Sequence, residues 1–205
     1  MSALRQTVVG QFSRPHGLLG RIAGWIMVNR PSNRQRNEWT LALIAAKSGE
    51  HVLEVGCGPG YALARCAAHC EGATLIGLDH SQLMVNEARK RLARVAPNAR
   101  VRVEQGGLDR LSEWPEHFDA IWSANVVQFF PDMASAFGEM RGALKPGGRI
   151  VTAYQPRHKA PTLEDALRKA AEVEDVMTAL GFVDIRREQL DLKPVAVVAV
   201  IGRRG

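Results

Sequence analysis

From Gly49 onward, short runs rich in Val and Ile alternate with stretches whose apolar residues recur at a helical period. HVLEVG (51–56), TLIGLD (74–79), VRVEQ (101–105), AIWSANV (120–126), RIVTAY (149–154), VDIRREQL (183–190) and VAVVAVIG (195–202) read as strands. Residues 61–70, 81–95, 133–145 and 162–180 read as helices. In 81–95, Leu83, Met84, Ala88, Leu92 and Val95 share one period, and Arg89, Lys90 and Arg94 fall elsewhere. Ser81 suits the N-cap of that helix. LKPGG (144–148) predicts a helix stop and a turn into the next strand.

Strand–helix alternation implies a mostly parallel sheet with helices on both faces. The last two strands break the rule, because only DLKP separates them. A parallel crossover needs about a dozen residues or more, so this pair is an antiparallel hairpin. The expected fold is therefore an open α/β sheet finished by a C-terminal hairpin. Ligands of such sheets lie at the carboxyl ends of the strands. That rule gathers the 56–60 turn, Asp79, the 106–109 loop, Asn125 and the loop after Tyr154 on one rim.

Residues 1–47 stand apart. Asn33 can cap a helix from about Arg34 to Ala46. Before it, HGLLGRIAGWIMVNR (16–30) sets Leu18, Ile22, Trp25 and Ile26 on one side, while Arg14 and Arg21 share another. Gly17, Gly20 and Gly24 weaken it as a free-standing helix. Charge sharpens the division. The net charge is +6, and residues 1–47 carry seven basic side chains against Glu38 alone. Residues 48–205 hold 20 bases and 20 acids. Such asymmetry points to an anionic ligand, an acidic surface or a membrane face.

The chain of 205 residues, 46% of them hydrophobic, suits one globular domain. No secretory signal or bilayer-length apolar run is visible, which predicts a cytoplasmic protein. Cys57, Cys66 and Cys70 read as reduced, half-buried thiols, and no metal site is expected.

The glycine turn VLEVGCGPG (52–60) carries the chemistry. Gly56, Gly58 and Gly60 give G-x-G-x-G, and Tyr61 takes the third position of a dinucleotide fingerprint. No Gly-Lys-Ser/Thr follows, which excludes a P-loop. Glu54 would repel a bare phosphate and suit a cationic group.

These residues resemble the first motif of the class I S-adenosylmethionine-dependent methyltransferases. LIGLDHSQLMVNEAR, HFDAIWSANVVQFF and EMRGALKPGGRIVTAY resemble the family's later blocks, in the same order. The resemblance covers about 48–202. It is nearest to the small-molecule enzymes of the ubiquinone/menaquinone-biosynthesis type. It implies a Rossmann-like seven-stranded sheet, the cofactor S-adenosyl-L-methionine and the product S-adenosyl-L-homocysteine. The implied cofactor residues are Glu54, Gly56, Cys57, Gly58, Gly60, Asp79, His80, Met84, Gly107, Leu108 and Asn125. Glu54 would favour the ammonium group, Asp79 the ribose diol and His80 the adenine. Asn125 would lie near the transferred methyl.

One departure stands out. The family commonly has Gly-Asp-Ala after the third strand, the Asp accepting from the adenine amino group. Here EQGGLDRL puts Gly107 at that position. Either Asp109 reaches back, or backbone groups at Gly107 and Leu108 hold the adenine alone.

The expected acceptor is a small molecule with an apolar or aromatic body. The weak catalytic candidates are Asn125, Tyr154, His158 and His16. SANVVQFF lacks the Asn/Asp-Pro-Pro-Tyr/Phe of amino-methylating enzymes, and the basic residues of 1–47 are interleaved with apolar ones. Both features disfavour nucleic acid. Residues 1–47 are expected to lid the methyltransferase domain of 48–205, with His16–Arg30 folding over the rim. Residues 15–30 also suit peripheral membrane contact. Monomer and homodimer both stay open. The competing readings are a non-catalytic cofactor-binding protein on the same fold and an NAD-dependent oxidoreductase.

Overall fold

The computed structural model describes residues 31–205. Its helices are α1 (Pro31–Ile44), α2 (Tyr61–His69), α3 (Gln82–Val95), α4 (Met133–Ala143) and α5 (Leu163–Ala179). Its strands are β1 (His51–Val55), β2 (Thr74–Asp79), β3 (Val101–Gln105), β4 (Phe118–Ala124), β5 (Leu144–Tyr154), β6 (Phe182–Leu190) and β7 (Val197–Arg204). The strands form one seven-stranded sheet in the order β3-β2-β1-β4-β5-β7-β6. The β1, β2, β3, β4 and β5 ladders are parallel, and β7 runs antiparallel to both β5 and β6. The α/β sheet with a terminal hairpin is thus the architecture the sequence pattern implies.

Alternation along the strands gives the sheet two cores. Leu53, Val55, Ile121 and Ile150 join Phe137 and Met140 of α4 and Val173 and Met177 of α5. Val52, Trp122, Val151 and Ile201 join Ile44 of α1, Leu63 of α2 and Val85 and Leu92 of α3. Chain order reverses between β1 and β4, which neighbour each other although β2 follows β1 in sequence. A crevice opens at such a switch point.

α1 belongs to the second layer. At its C-terminus, Arg149 of β5 donates to the carbonyls of Ile44 (2.6 Å) and Ala45 (2.9 Å). At its other end, Ser32 and Asn33 meet Arg157, beyond β5. The helix therefore runs antiparallel to β5 and brings its first turns to the carboxyl rim. Residues 15–30, with His16, Trp25 and Ile26, lie outside the described residues.

Several boundaries differ from expectation, four of them with a clear physical reason or consequence. Asn33 does not cap α1; it sits inside the first turn, buried, and accepts from Arg36 and Arg157. The β4 ladder ends at Ala124 because Asn125 turns to φ 57° and leaves the strand. LKPGG is part of β5: Leu144 pairs with Phe118 across a register shift, and the ladder resumes at Arg149. Proline cannot donate to a ladder, so the strand bulges there. β7 starts two residues late and runs through Arg203 and Arg204, whose backbones pair with Val183 and Phe182.

Candidate functional site

The glycine turn leaves β1 and opens α2. The Gly56 and Cys57 amides donate to the Leu78 carbonyl at 2.7 and 3.1 Å, pinning the turn to the end of β2. Gly58 has φ 52°, and a Cβ built there would meet nothing within 4 Å among the described residues. Its backbone therefore fronts open space, as a cradle for a closely approaching ligand requires. Gly60 answers a different demand: a Cβ there would lie 2.8 Å from the Ala88 Cβ of α3. The third glycine permits helix packing.

Asp79 ends β2 and is buried. Its Oδ2 accepts from Gly58 N (2.8 Å) and its Oδ1 from Ser81 N (2.9 Å). One carboxylate thus joins the glycine turn to the N-terminus of α3, where Ser81 caps through Met84 N. Each oxygen keeps a further lone pair, so the carboxylate can still receive a diol.

A cleft of about 650 Å³ opens above these groups, lined by Gly56, Asp79, His80, Gly107, Leu108 and Asp109 on one wall. Val126, Phe129, Phe130 and Pro131, beyond β4, form much of the other. Phe129 is 52% exposed. This aromatic wall was missed in the sequence, where the expected strand ended at Val126 and the phenylalanines after it were given no role.

Gly107 is extended, with φ −92° and ψ −172°. A Cβ built there would lie 2.6 Å from the Asp109 Oδ1. Asp109 therefore folds back and fills the space a side chain at position 107 would use.

Other expected residues sit differently. Glu54 is only 4% exposed and points into the second core, where Oε2 has no hydrogen-bond partner. Burial pushes its carboxyl up to about 8, against the pull of the nearby Trp122 indole. The Cys57 side chain is buried beneath Gly77, so only its backbone faces the turn; burial pushes its thiol well up. Met84 is likewise buried, and its side chain does not line this cleft.

The catalytic candidates are also redefined. Asn125 stands at the end of β4, but its amide is engaged. Its Nδ2 donates to Gln155 O (2.9 Å), and its Oδ1 accepts from Gln155 N (2.7 Å). It clamps β4 to β5 at the rim and has no atom suited to general-base work. Tyr154 packs against the first core, toward α5, and burial raises its pKa. His158 lies 3.2 Å from Asp165 in the first turn of α5. Neither lines the cleft. His16 lies outside the described residues.

Comparison with known proteins agrees with this fold. The Methyltransferase domain family matches residues 53–150. An uncharacterized methyltransferase of Bacillus subtilis, YdaC, is 29% identical over 89% of this chain and 98% of its own. A trans-aconitate 2-methyltransferase of Methylobacterium radiotolerans is 32% identical over 69% of this chain. The match spans only 51% of that relative's length. A SAM-dependent methyltransferase structure from Aquifex aeolicus superposes with a TM-score of 0.71 at 19% identity, covering 87% of this chain and 95% of that one.

Proposed function

Because the chain belongs to the class I S-adenosylmethionine-dependent methyltransferase family, we propose that it methylates a small molecule with an apolar or aromatic body. The observation that carries this reading is the Asp79 carboxylate, which lines the cleft beside Gly56 and accepts from the backbone of the glycine turn at Gly58.

The residues fit the cofactor's chemistry. The 56–60 turn would pass beneath the methionine portion, where no Cβ obstructs at Gly58. Asp79 would accept from the ribose hydroxyls through its remaining lone pairs. His80 would flank the adenine, and Asp109 would accept from its amino group. Leu108 and the Gly107 backbone complete that wall. Glu54, buried beneath the turn, would stabilise the ammonium group and lose its proton in doing so. When bound, the cofactor supplies an electrophilic methyl on a sulfonium.

The protein's own task is alignment and exclusion of water. The exposed Phe129, with Val126 and Phe130, would receive the apolar body of the acceptor. Asn125 would hold the β4–β5 rim rigid at the transfer point. Residues 16–30 would close over the rim.

Calorimetry with S-adenosylhomocysteine and with NAD tests the cofactor assignment. Binding of the first and not the second is expected. Asp79→Ala is expected to weaken S-adenosylhomocysteine by at least about tenfold, the loss of a good hydrogen bond to a ligand. Transfer of labelled methyl to an acceptor panel tests catalysis, and binding without transfer to any acceptor would reject it.

A further inference from the structure

We propose that Arg36 and Arg157 form a receptor for a carboxylate carried by the methyl acceptor, an inference that rests on the methyl-transfer reading above. Arg36 lies in the second turn of α1 and is 6% exposed. Its Nη1 donates to Asn33 Oδ1 at 3.1 Å, and its Nε has no partner among the described residues. Arg157 reaches the same Asn33 oxygen at 2.5 Å and also donates to Ser32 Oγ and the Gln155 Oε1. One neutral amide oxygen is thus shared by two guanidiniums.

A buried guanidinium ordinarily finds a carboxylate. Several of the described arginines have an acid, although Arg91 donates only to the Pro59 carbonyl and Arg141 has no acid partner among the described residues. Arg149 pairs with Glu50, Arg204 with Glu116 and Arg65 with Glu38. Among the described residues Arg36 makes no such pair. The first acid of the chain is Glu38, and residues 1–37 contain none. Glu38 itself is held by the Tyr61 hydroxyl (2.9 Å) and Arg65 (2.7 Å). The segment preceding α1 therefore has no carboxylate to offer. Burial and the neighbouring Arg157 pull Arg36 down to about 9, so it stays charged at neutral pH. No acid of the described residues meets Arg36 and residues 1–30 contain none, so its anion is assigned to a bound ligand.

The location identifies its source. Gln155 joins this cluster to the transfer point. Its backbone is clamped by Asn125, and its side chain accepts from Arg157 and donates to Val195 O at 2.7 Å. The guanidiniums thus sit on the β5 side of Asn125, and the cleft around Asp79 and Gly107 lies on the β2 side. A planar guanidinium fork matches a carboxylate in two-point contact. The cofactor's own carboxylate is balanced by its ammonium, and its sulfonium adds a positive charge. Two further cations beside it call for an acceptor that brings a negative charge.

The test uses the full chain, Arg36→Met, Arg157→Met and Arg157→Lys. The binding probes are benzoate against benzamide, S-adenosylhomocysteine, and 5′-methylthioadenosine, which lacks the amino-acid end. The turnover probes are apolar carboxylic acids paired with their primary amides. The wild type is expected to prefer acids by at least about tenfold, a preference the Met variants lose and Arg157→Lys partly keeps. S-adenosylhomocysteine affinity is expected to hold within about twofold in all variants. Arg36→Met is expected to raise the Tm of the unliganded protein, because it removes a buried charge without a carboxylate. A lower Tm with unchanged acid preference would mark Arg36 as structural and overturn the proposal. Selective loss of S-adenosylhomocysteine, with methylthioadenosine unaffected, would assign the guanidiniums to the cofactor's carboxylate and also overturn it. Equal handling of acids and amides by the wild type would do the same. If the wild type failed to bind S-adenosylhomocysteine, the methyl-transfer reading itself would fall, and this one with it.

Discussion

At the scale of single residues, Gly107 and Asp109 show where a linear reading stops. EQGGLDRL leaves two arrangements open, and the fold puts the Asp109 carboxylate where a side chain at position 107 would reach. The Asp109 Oδ1 stands 2.6 Å from the space a Gly107 side chain would enter, on a backbone that any residue could adopt. Asp109→Ala is therefore expected to weaken S-adenosylhomocysteine by about tenfold. Adding Gly107→Asp to that variant is expected to restore most of the affinity. Calorimetry on both proteins checks this, and a double variant no better than the single one would reject it. Glu54 makes a second case. Its position before the glycines was legible in the sequence; its burial was not, because an acid in a strand says nothing about which layer covers it. A carboxyl held near 8 when folded, against an ordinary 4.5, binds its proton more tightly in the folded state. Its contribution to stability is complete below about pH 4.5 and is lost as the pH rises through about 8. Relative to Glu54→Gln, the wild type should lose urea midpoint over that window. Parallel curves for the two proteins would contradict the assignment.

At the scale of elements, strand number, strand type and the terminal hairpin were legible because hydrophobic period and linker length determine them. Boundaries were less so. Asn125 carries strand-like neighbours yet turns to φ 57°, a conformation set by its amide clamp on Gln155, 30 residues away. Asn33 looked like a cap because short polar residues favour that role. Its actual partners, Arg36 and Arg157, could not be read from sequence for the same reason: one of them is 124 residues distant. The attachment of α1 is equally non-local. Arg149 donates to two carbonyls at its C-terminus and pairs with Glu50 through 2.9 and 2.7 Å contacts. Both side chains are mostly buried. Arg149→Met leaves Glu50 without its cation and the helix end without its donors, at a cost of about 2–3 kcal/mol. Urea denaturation measures it. Glu50→Gln in the same background should recover part of the loss, since no carboxylate is then left unpaired.

At the scale of the whole molecule, the two proposed functions divide along the chain. Every residue assigned to the cofactor lies between Glu54 and Asn125, on a scaffold whose bases and acids balance beyond residue 47. The entire positive excess belongs to residues 1–47, and the proposed anion receptor draws one guanidinium from that segment and one from the loop after β5. Cofactor capture and acceptor capture should therefore separate under two perturbations. Removing residues 1–30 deletes four arginines and no acid. It leaves the glycine turn and Asp79 in place, so S-adenosylhomocysteine affinity should stay within about twofold. Turnover of carboxylate acceptors should fall by at least about tenfold, because the proposed closure over the rim is lost. Ionic strength supplies the second perturbation. Attraction of an anionic acceptor to a basic segment is screened over about 8–10 Å at 0.10–0.15 M salt. For the full chain, kcat/KM should decline as salt rises, and the truncated chain should respond less. Steady-state kinetics over a salt series on both proteins reads the difference. Equal salt slopes would remove the basic segment from acceptor capture, and unchanged turnover after truncation would remove the lid.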